Sequence, residues 1–196
     1  MTSRSRLEAH LPTLERGINR LADVVVRFLT HHWLFAVNGA LALYLSLAAA
    51  APVLMAFGWE LPSNAIYLLF RPICHQLPSR SHFIAGHQMA CCQRCTAIYG
   101  SLLLGGLLFV LLRGWLRPLP WKAYLVLVAP MAVDGLTQLV GLRASSWELR
   151  TLTGGLFGLA TVWLVYPFFH RTMVEIRSLL DQTGGFGRQP APVRDG

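Results

Sequence analysis

Long apolar runs, almost free of charge, constrain this chain more than any other feature of it. Residues 33–57 (WLFAVNGALALYLSLAAAAPVLMAF) carry no charge at all. A helix of about 20 apolar residues crosses the roughly 30 Å of hydrocarbon in a bilayer, so this run predicts a transmembrane span. Residues 95–112 (CTAIYGSLLLGGLLFVLL) predict a second, closed by Arg113 and Arg117 and by the helix-ending Pro118 and Pro120. The third run, residues 121–142, contains one acid, Asp134. The fourth, residues 151–169, ends in Tyr166, Phe168 and Phe169, amphipathic and aromatic groups suited to the interface level.

Lipid offers backbone groups no hydrogen-bond partner, so spans of this kind must be helical. The expected fold is therefore all-α: a four-helix transmembrane bundle with an N-terminal amphipathic interfacial helix and a Cys/His-rich outer loop. The expected divisions are an amphipathic segment over 1–32, a membrane domain over 33–170 that includes the loop at 71–95, and a tail over 171–196. Residues 183–196 are rich in Gly, Pro and Gln without apolar periodicity, and predict disorder. In the first segment Leu7, Leu11, Leu14, Ile18, Leu21, Val25 and Phe28 recur at steps of four and three, an apolar stripe that lipid headgroups or a partner helix can cover. Some thirty polar and charged residues precede the first apolar run, which argues against a cleaved secretory signal.

Charge then gives an orientation. Residues 1–32 hold five Lys and Arg, the connection from Arg113 to Lys122 holds three and the segment after Phe169 holds four; the remaining five lie on the other side. The positive-inside rule places both termini in the cytoplasm of a prokaryotic cell membrane and the cysteine loop outside. It also accounts for the pI of about 10.0 without nucleic acid, because the basic residues flank spans and line no aromatic groove. Inside a bilayer, close helix contact relies on small residues. Gly154 and Gly158 on the fourth span, with Ser101 and Gly105 on the second, supply notches for an internal seam or an oligomer surface.

All four cysteines and three histidines fall between positions 74 and 95. Ser79 or Ser81 can cap a helix running through His87 into the second span, which would put His87, Cys91 and Cys95 on one face. Three uses of the sulfur are open. Cys74, Cys92, Cys95 and one of His75 or His87 make a tetrahedral set for zinc or a softer ion such as Cu(I). Cys92 and Cys95 form a C-x-x-C whose thiols, at a helix start beside Arg94, suit thiol redox with Cys74 as partner. An inert disulfide fixing the loop is the third. Bacterial membrane proteins that pass electrons from periplasmic thiols to quinone resemble the layout, but they need a second cysteine pair in the next outer loop, and residues 143–150 have none.

Asp134 is a functional candidate by its depth, and Arg143 or Arg150 can pair with it structurally. With Arg94, Gln138, Arg150 and Thr153 it can floor a pocket roofed by the loop, for a metal, a quinone head group or a lipid head group. No Ser/His/Asp arrangement, phosphate loop or dinucleotide fingerprint is present, and four spans without an inverted repeat lack the usual transporter framework. A non-catalytic subunit of a larger membrane complex or a homo-oligomer is a third class of function.

Three motifs in order, Cys74-His75-Gln76-Leu77-Pro78-Ser79-Arg80-Ser81, Cys92-Gln93-Arg94-Cys95-Thr96-Ala97-Ile98-Tyr99-Gly100 and Pro130-Met131-Ala132-Val133-Asp134-Gly135-Leu136-Thr137-Gln138, resemble the membrane proteins grouped as domain of unknown function 2085. The resemblance covers roughly residues 65–165. It implies a four-span bacterial or archaeal membrane protein without an assigned activity, with Cys74, His75, Cys92, Arg94, Cys95, Asp134, Gln138, Arg150 and Thr153 matching the family pattern. Cys91 lies outside that pattern, and Ala97 stands where a glycine is usual.

Overall fold

A computed structural model describes residues 3–185, with side chains described from residue 14 onward. Its helices are α1 (Ser3–Ala56), α2 (Glu60–Phe70), α3 (Gln93–Leu112), α4 (Trp121–Leu139) and α5 (Trp147–Thr183). Between α2 and α3 lie a 3₁₀ turn at Pro78–Arg80 and two antiparallel strands, β1 (Ser81–Ile84) and β2 (His87–Cys92). The chain divides into two compact units, Leu34–Phe168 and a second formed by Met1–Trp33 with Phe169–Gly196.

In the larger unit, α1 and α3 meet where Gly106 leaves room for the Asn38 side chain. The glycine notches are spent on one internal seam between α3 and α5. A Cβ at Gly154 would stand 2.9 Å from the Arg94 carbonyl, one at Gly158 would fall 2.6 Å from the Ile98 carbonyl and onto the Ser101 hydroxyl, and Gly105 faces Val162. These positions are thus taken up by internal packing. Helix α4 returns antiparallel along both neighbours: Tyr124 meets Thr161 of α5 at 3.4 Å, and ten residues on Asp134 meets Arg94 at the start of α3.

Among the described residues, three helices are long and apolar enough to cross a membrane, in the segments Leu14–Ala56, Gln93–Leu112 and Trp147–Thr183. The expected third span falls short of that measure, because α4 carries Lys122, Pro130, Asp134 and Gln138 among its 19 residues. The all-α expectation is corrected too. The segment from Ser81 to Cys92 is a hairpin, and its two-residue turn, Ala85-Gly86, has positive φ at both positions (51° and 81°), the backbone that a tight antiparallel hairpin turn demands. Helix α2, eleven residues and too short to span, was not foreseen.

In the smaller unit α1 is unbroken at residue 32, and α5 continues as helix to Thr183, past the expected end of the fourth span at Phe169. Residues 186–196 lie outside those described. Here Thr30, Trp33 and Leu180 are buried, Trp33 stacks on Phe169 at 5.5 Å, and Arg27 pairs with Asp181. Leu14, Ile18, Leu21, Val25 and Phe28 of the apolar stripe remain exposed; Leu7 and Leu11 lie outside the described side chains.

Candidate metal centre and its cavity

The hairpin is seated by small residues. Ala48 and Ala51 of α1 let Phe70, Met89, Ala90 and Cys91 pack into one buried apolar cluster, and Ser63 of α2 donates to the Ala51 carbonyl at 2.7 Å. Gln76, at a positive φ of 51° that a non-glycine residue adopts only under constraint, is held by its side chain. Its Nε2 donates to the Tyr67 carbonyl at 2.7 Å, its own carbonyl accepts from Gln88 at 2.8 Å, and the Tyr67 hydroxyl donates to the Gln88 carbonyl. This clamp fixes the reversal that carries Cys74 back over the start of α3.

There β2 ends and α3 begins on one residue, Cys92, which is extended (φ −74°, ψ 163°) and occupies the N-cap. Cys95 follows three residues on, in the first turn. The Sγ atoms of Cys74, Cys92 and Cys95 all lie within 4.8 Å of one another. Cys74 is buried, accepts the Cys92 backbone N–H at 3.1 Å, and is held far below the ordinary thiol range because the thiols of Cys92 and Cys95 donate to it, with backbone N–H groups of Gln76 and Cys92 adding to this. A sulfur so surrounded by donors is stabilised as thiolate, the form that binds metals and acts as nucleophile.

One residue earlier, Cys91 belongs to the opposite environment. It is fully buried in the apolar cluster, with Tyr44 and Thr96 hydroxyls at 3.7 Å, and burial pushes its thiol up. Alternation along a strand sends neighbouring side chains to opposite faces, so the adjacent cysteines part company. This corrects the expected helix through His87: Cys91 does not share a face with Cys95, and Ser79 and Ser81 do not cap α3. His87 sits at the turn end of β2, paired with Ile84, and is outside the three-sulfur group. His75 is exposed and lines the cavity that opens beside Cys92 and Cys95.

That cavity has a volume of about 320 Å³, and its polar lining is supplied by His75, Arg80, Arg94, Gln138 and Arg150 together with Cys92 and Cys95. Its support is Asp134, 1% exposed, whose carboxylate accepts from Arg94, from Arg143 at 2.8 Å, from Gln138 at 2.9 Å and from Ser145 at 3.1 Å. Arg150, expected as a partner of Asp134, donates instead to Gln93 Oε1 at 3.0 Å, and Gln93 in turn reaches the Ser81 carbonyl. Thr153 is buried and bonds back to the Leu149 carbonyl. Gln76, Gln93 and Arg80 lay in the motifs without a role, and nothing pointed to Gln88 or Ser145, since lone amides and hydroxyls have no spacing signature.

Residues 74–164 match the family described as "Predicted membrane protein (DUF2085)". An uncharacterized protein of Methanocaldococcus jannaschii is 42% identical over 114 residues, which cover 57% of this chain and 72% of that protein. An uncharacterized protein of Methanothermobacter thermautotrophicus is 39% identical over 94 residues, 45% of this chain and 80% of that one. No solved structure matches the chain. The chain belongs to this family of membrane proteins.

Proposed function

We propose, from that membership and from the sulfur geometry, a four-span membrane protein that holds a zinc-like ion on Cys74, Cys92 and Cys95. The single observation that carries the metal reading is the convergence of three sulfurs within 4.8 Å. Around a tetrahedral zinc with Zn–S near 2.3 Å, thiolates stand about 3.8 Å apart, a spacing inside that 4.8 Å limit. A static disulfide joins only two of the three sulfurs, whereas a metal ion engages all of them. His75, next to Cys74 in sequence and outside the three-sulfur group but lining the cavity with Cys92 and Cys95, is the proposed fourth ligand. Arg94 and Asp134 act behind the thiolates, fixing the first turn of α3 to α4.

Helix α4 supports the four-span reading by its course. Its 19 residues, about 28 Å of helix, run antiparallel between the level of Trp163 on α5 and that of Arg94 on α3. The acid that weakens its apolar character is neutralised within the bundle. With both termini cytoplasmic, the sulfurs face the outside of a prokaryotic inner membrane.

Elemental analysis of protein purified in mild detergent tests the metal. The expected outcome is about one zinc-class ion per chain, in keeping with a single ligand cluster, lost in Cys74→Ser, Cys92→Ser and Cys95→Ser and retained in Cys91→Ser. Wild-type protein without stoichiometric metal, and with Cys92 and Cys95 cycling between free and oxidised states under mass-tagging, overturns the reading in favour of thiol redox.

A further inference from the structure

We propose that the cavity beside the sulfurs is a binding site for a phosphoryl oxyanion, and that it works whether or not the sulfurs hold a metal. The charge balance points there first. Asp134 is committed to Arg94 and Arg143, so the guanidiniums of Arg80 and Arg150 have no carboxylate partner among the described residues. Arg150 lies close enough to Arg80 and Arg94 to be repelled by both, more strongly than Asp134 and Cys92 attract it. A guanidinium does not shed its charge in a protein, so three of them on one cavity call for an anion. Three thiolates carrying a divalent ion would leave one negative charge, which does not offset two unneutralised guanidiniums.

Unused donors point the same way. Arg150 is only 7% exposed, yet its Nε has no hydrogen-bond partner and only one of its terminal nitrogens is engaged, on Gln93. Arg94 is in the same condition, with Nε unpaired and a single terminal nitrogen on Asp134. Burying such donors unsatisfied is costly. They arrive from three elements, Arg80 from the 3₁₀ turn, Arg94 from α3 and Arg150 from α5. A carboxylate offers two oxygens and one charge, whereas a phosphate ester offers three peripheral oxygens and up to two charges, the better match to a multi-sided cation cluster.

The rest of the lining suggests where the phosphate is attached. Ile73, Leu77, Ile98 and Met131 give the cavity an apolar wall, and its volume exceeds what a bare phosphate needs. Two sources share the recognised chemistry: a phospholipid head group entering from the membrane, and free phosphate.

Titration of the purified protein with inorganic phosphate, dihexanoyl phosphatidic acid and dihexanoyl phosphatidylcholine, followed by calorimetry, tests the site. At least one of the first two should bind, weakened about tenfold or more in Arg80→Gln and in Arg150→Gln, the scale of one lost charge-assisted hydrogen bond. Tighter binding of the phosphatidic acid identifies the lipid source, and equal binding identifies free phosphate. Wild-type protein treated with a chelator should bind as the untreated protein does, which separates this proposal from the metal reading. Arg80→Gln removes a side chain that makes no hydrogen bond or ion pair among the described residues, so its result does not depend on the stability of Arg150→Gln. The proposal fails if neither phosphate compound binds, if both variants bind unchanged, or if the phosphatidylcholine binds as tightly as the phosphatidic acid.

Discussion

The chain contains the same ion pair, arginine with aspartate, in two settings. In the larger unit Asp134 is 1% exposed and accepts from two arginines, an amide and a hydroxyl. In the smaller unit Asp181 pairs with Arg27 while 67% and 39% of their side-chain surfaces stay exposed. In the second case water competes for both charges, and each side chain survives alone. In the first, loss of the acid leaves two guanidiniums without their common counter-charge, one of them, Arg94, only 22% exposed. Burial, more than the pair itself, decides what each contributes, and the buried copy is the one beneath the sulfurs.

The largest effect should come from breaking that asymmetry at Asp134. Asp134→Ala strands Arg94 and is expected to cost about 3–5 kcal/mol, the range for removing one partner of a buried pair. Thermal or denaturant unfolding in detergent measures it. Because Arg94 lies between Cys92 and Cys95 on the first turn of α3, metal content should fall in whatever protein still folds. A loss no larger than that of an exposed pair would mean that water reaches Asp134 and that the ranking by burial is wrong.

A second, intermediate effect sharpens the comparison by testing packing without charge. Gly158→Val drives a branched side chain into the Ile98 carbonyl and the Ser101 hydroxyl, and overpacking of this kind costs about 1–3 kcal/mol. Gly155→Ala, on the same turn of α5 with nothing within 4 Å of its Cβ position, should unfold with the wild type. Equal effects at the two glycines would show that the α3–α5 seam opens freely.

These regions were not equally legible in the sequence. Residues 95–112 mark α3 to within two residues of its observed start, because an uncharged run bounded by cysteines, arginines and prolines has sharp edges. The pairing of Asp134 with Arg143 followed from the cost of an acid at depth. The hairpin escaped because four- and six-residue strands carry too little alternation to compete with the capping serines at 79 and 81, and its decisive signal was one dipeptide, Ala85-Gly86. The extension of α5 escaped for the opposite reason. Arg171, Glu175 and Arg177 end an apolar run without ending a helix, since Met173, Val174, Ile176, Leu179 and Leu180 keep the periodicity to Thr183. At the site, sequence clustering named the three sulfurs that meet but offered Arg150 to Asp134 on equal terms with Arg143, because the intervening Gln93 has no signature of its own.

The smallest effect belongs to Asp181. Asp181→Ala removes an exposed carboxylate from Arg27, whose other contact, a donation to the Leu180 carbonyl at 3.0 Å, survives the change. The expected cost is roughly 0–1 kcal/mol and should shrink further as salt is raised, because exposed charges are screened over about 10 Å at 0.1 M ionic strength. Asp134→Ala measured across the same salt series should hold nearly all of its penalty, since ions do not reach a group with 1% exposure. The contrast in salt dependence is the sharper test, because it separates burial from distance. If the Asp134 penalty fell with salt as the Asp181 penalty does, bulk ions would reach the carboxylate itself, and burial would not be what separates the two pairs.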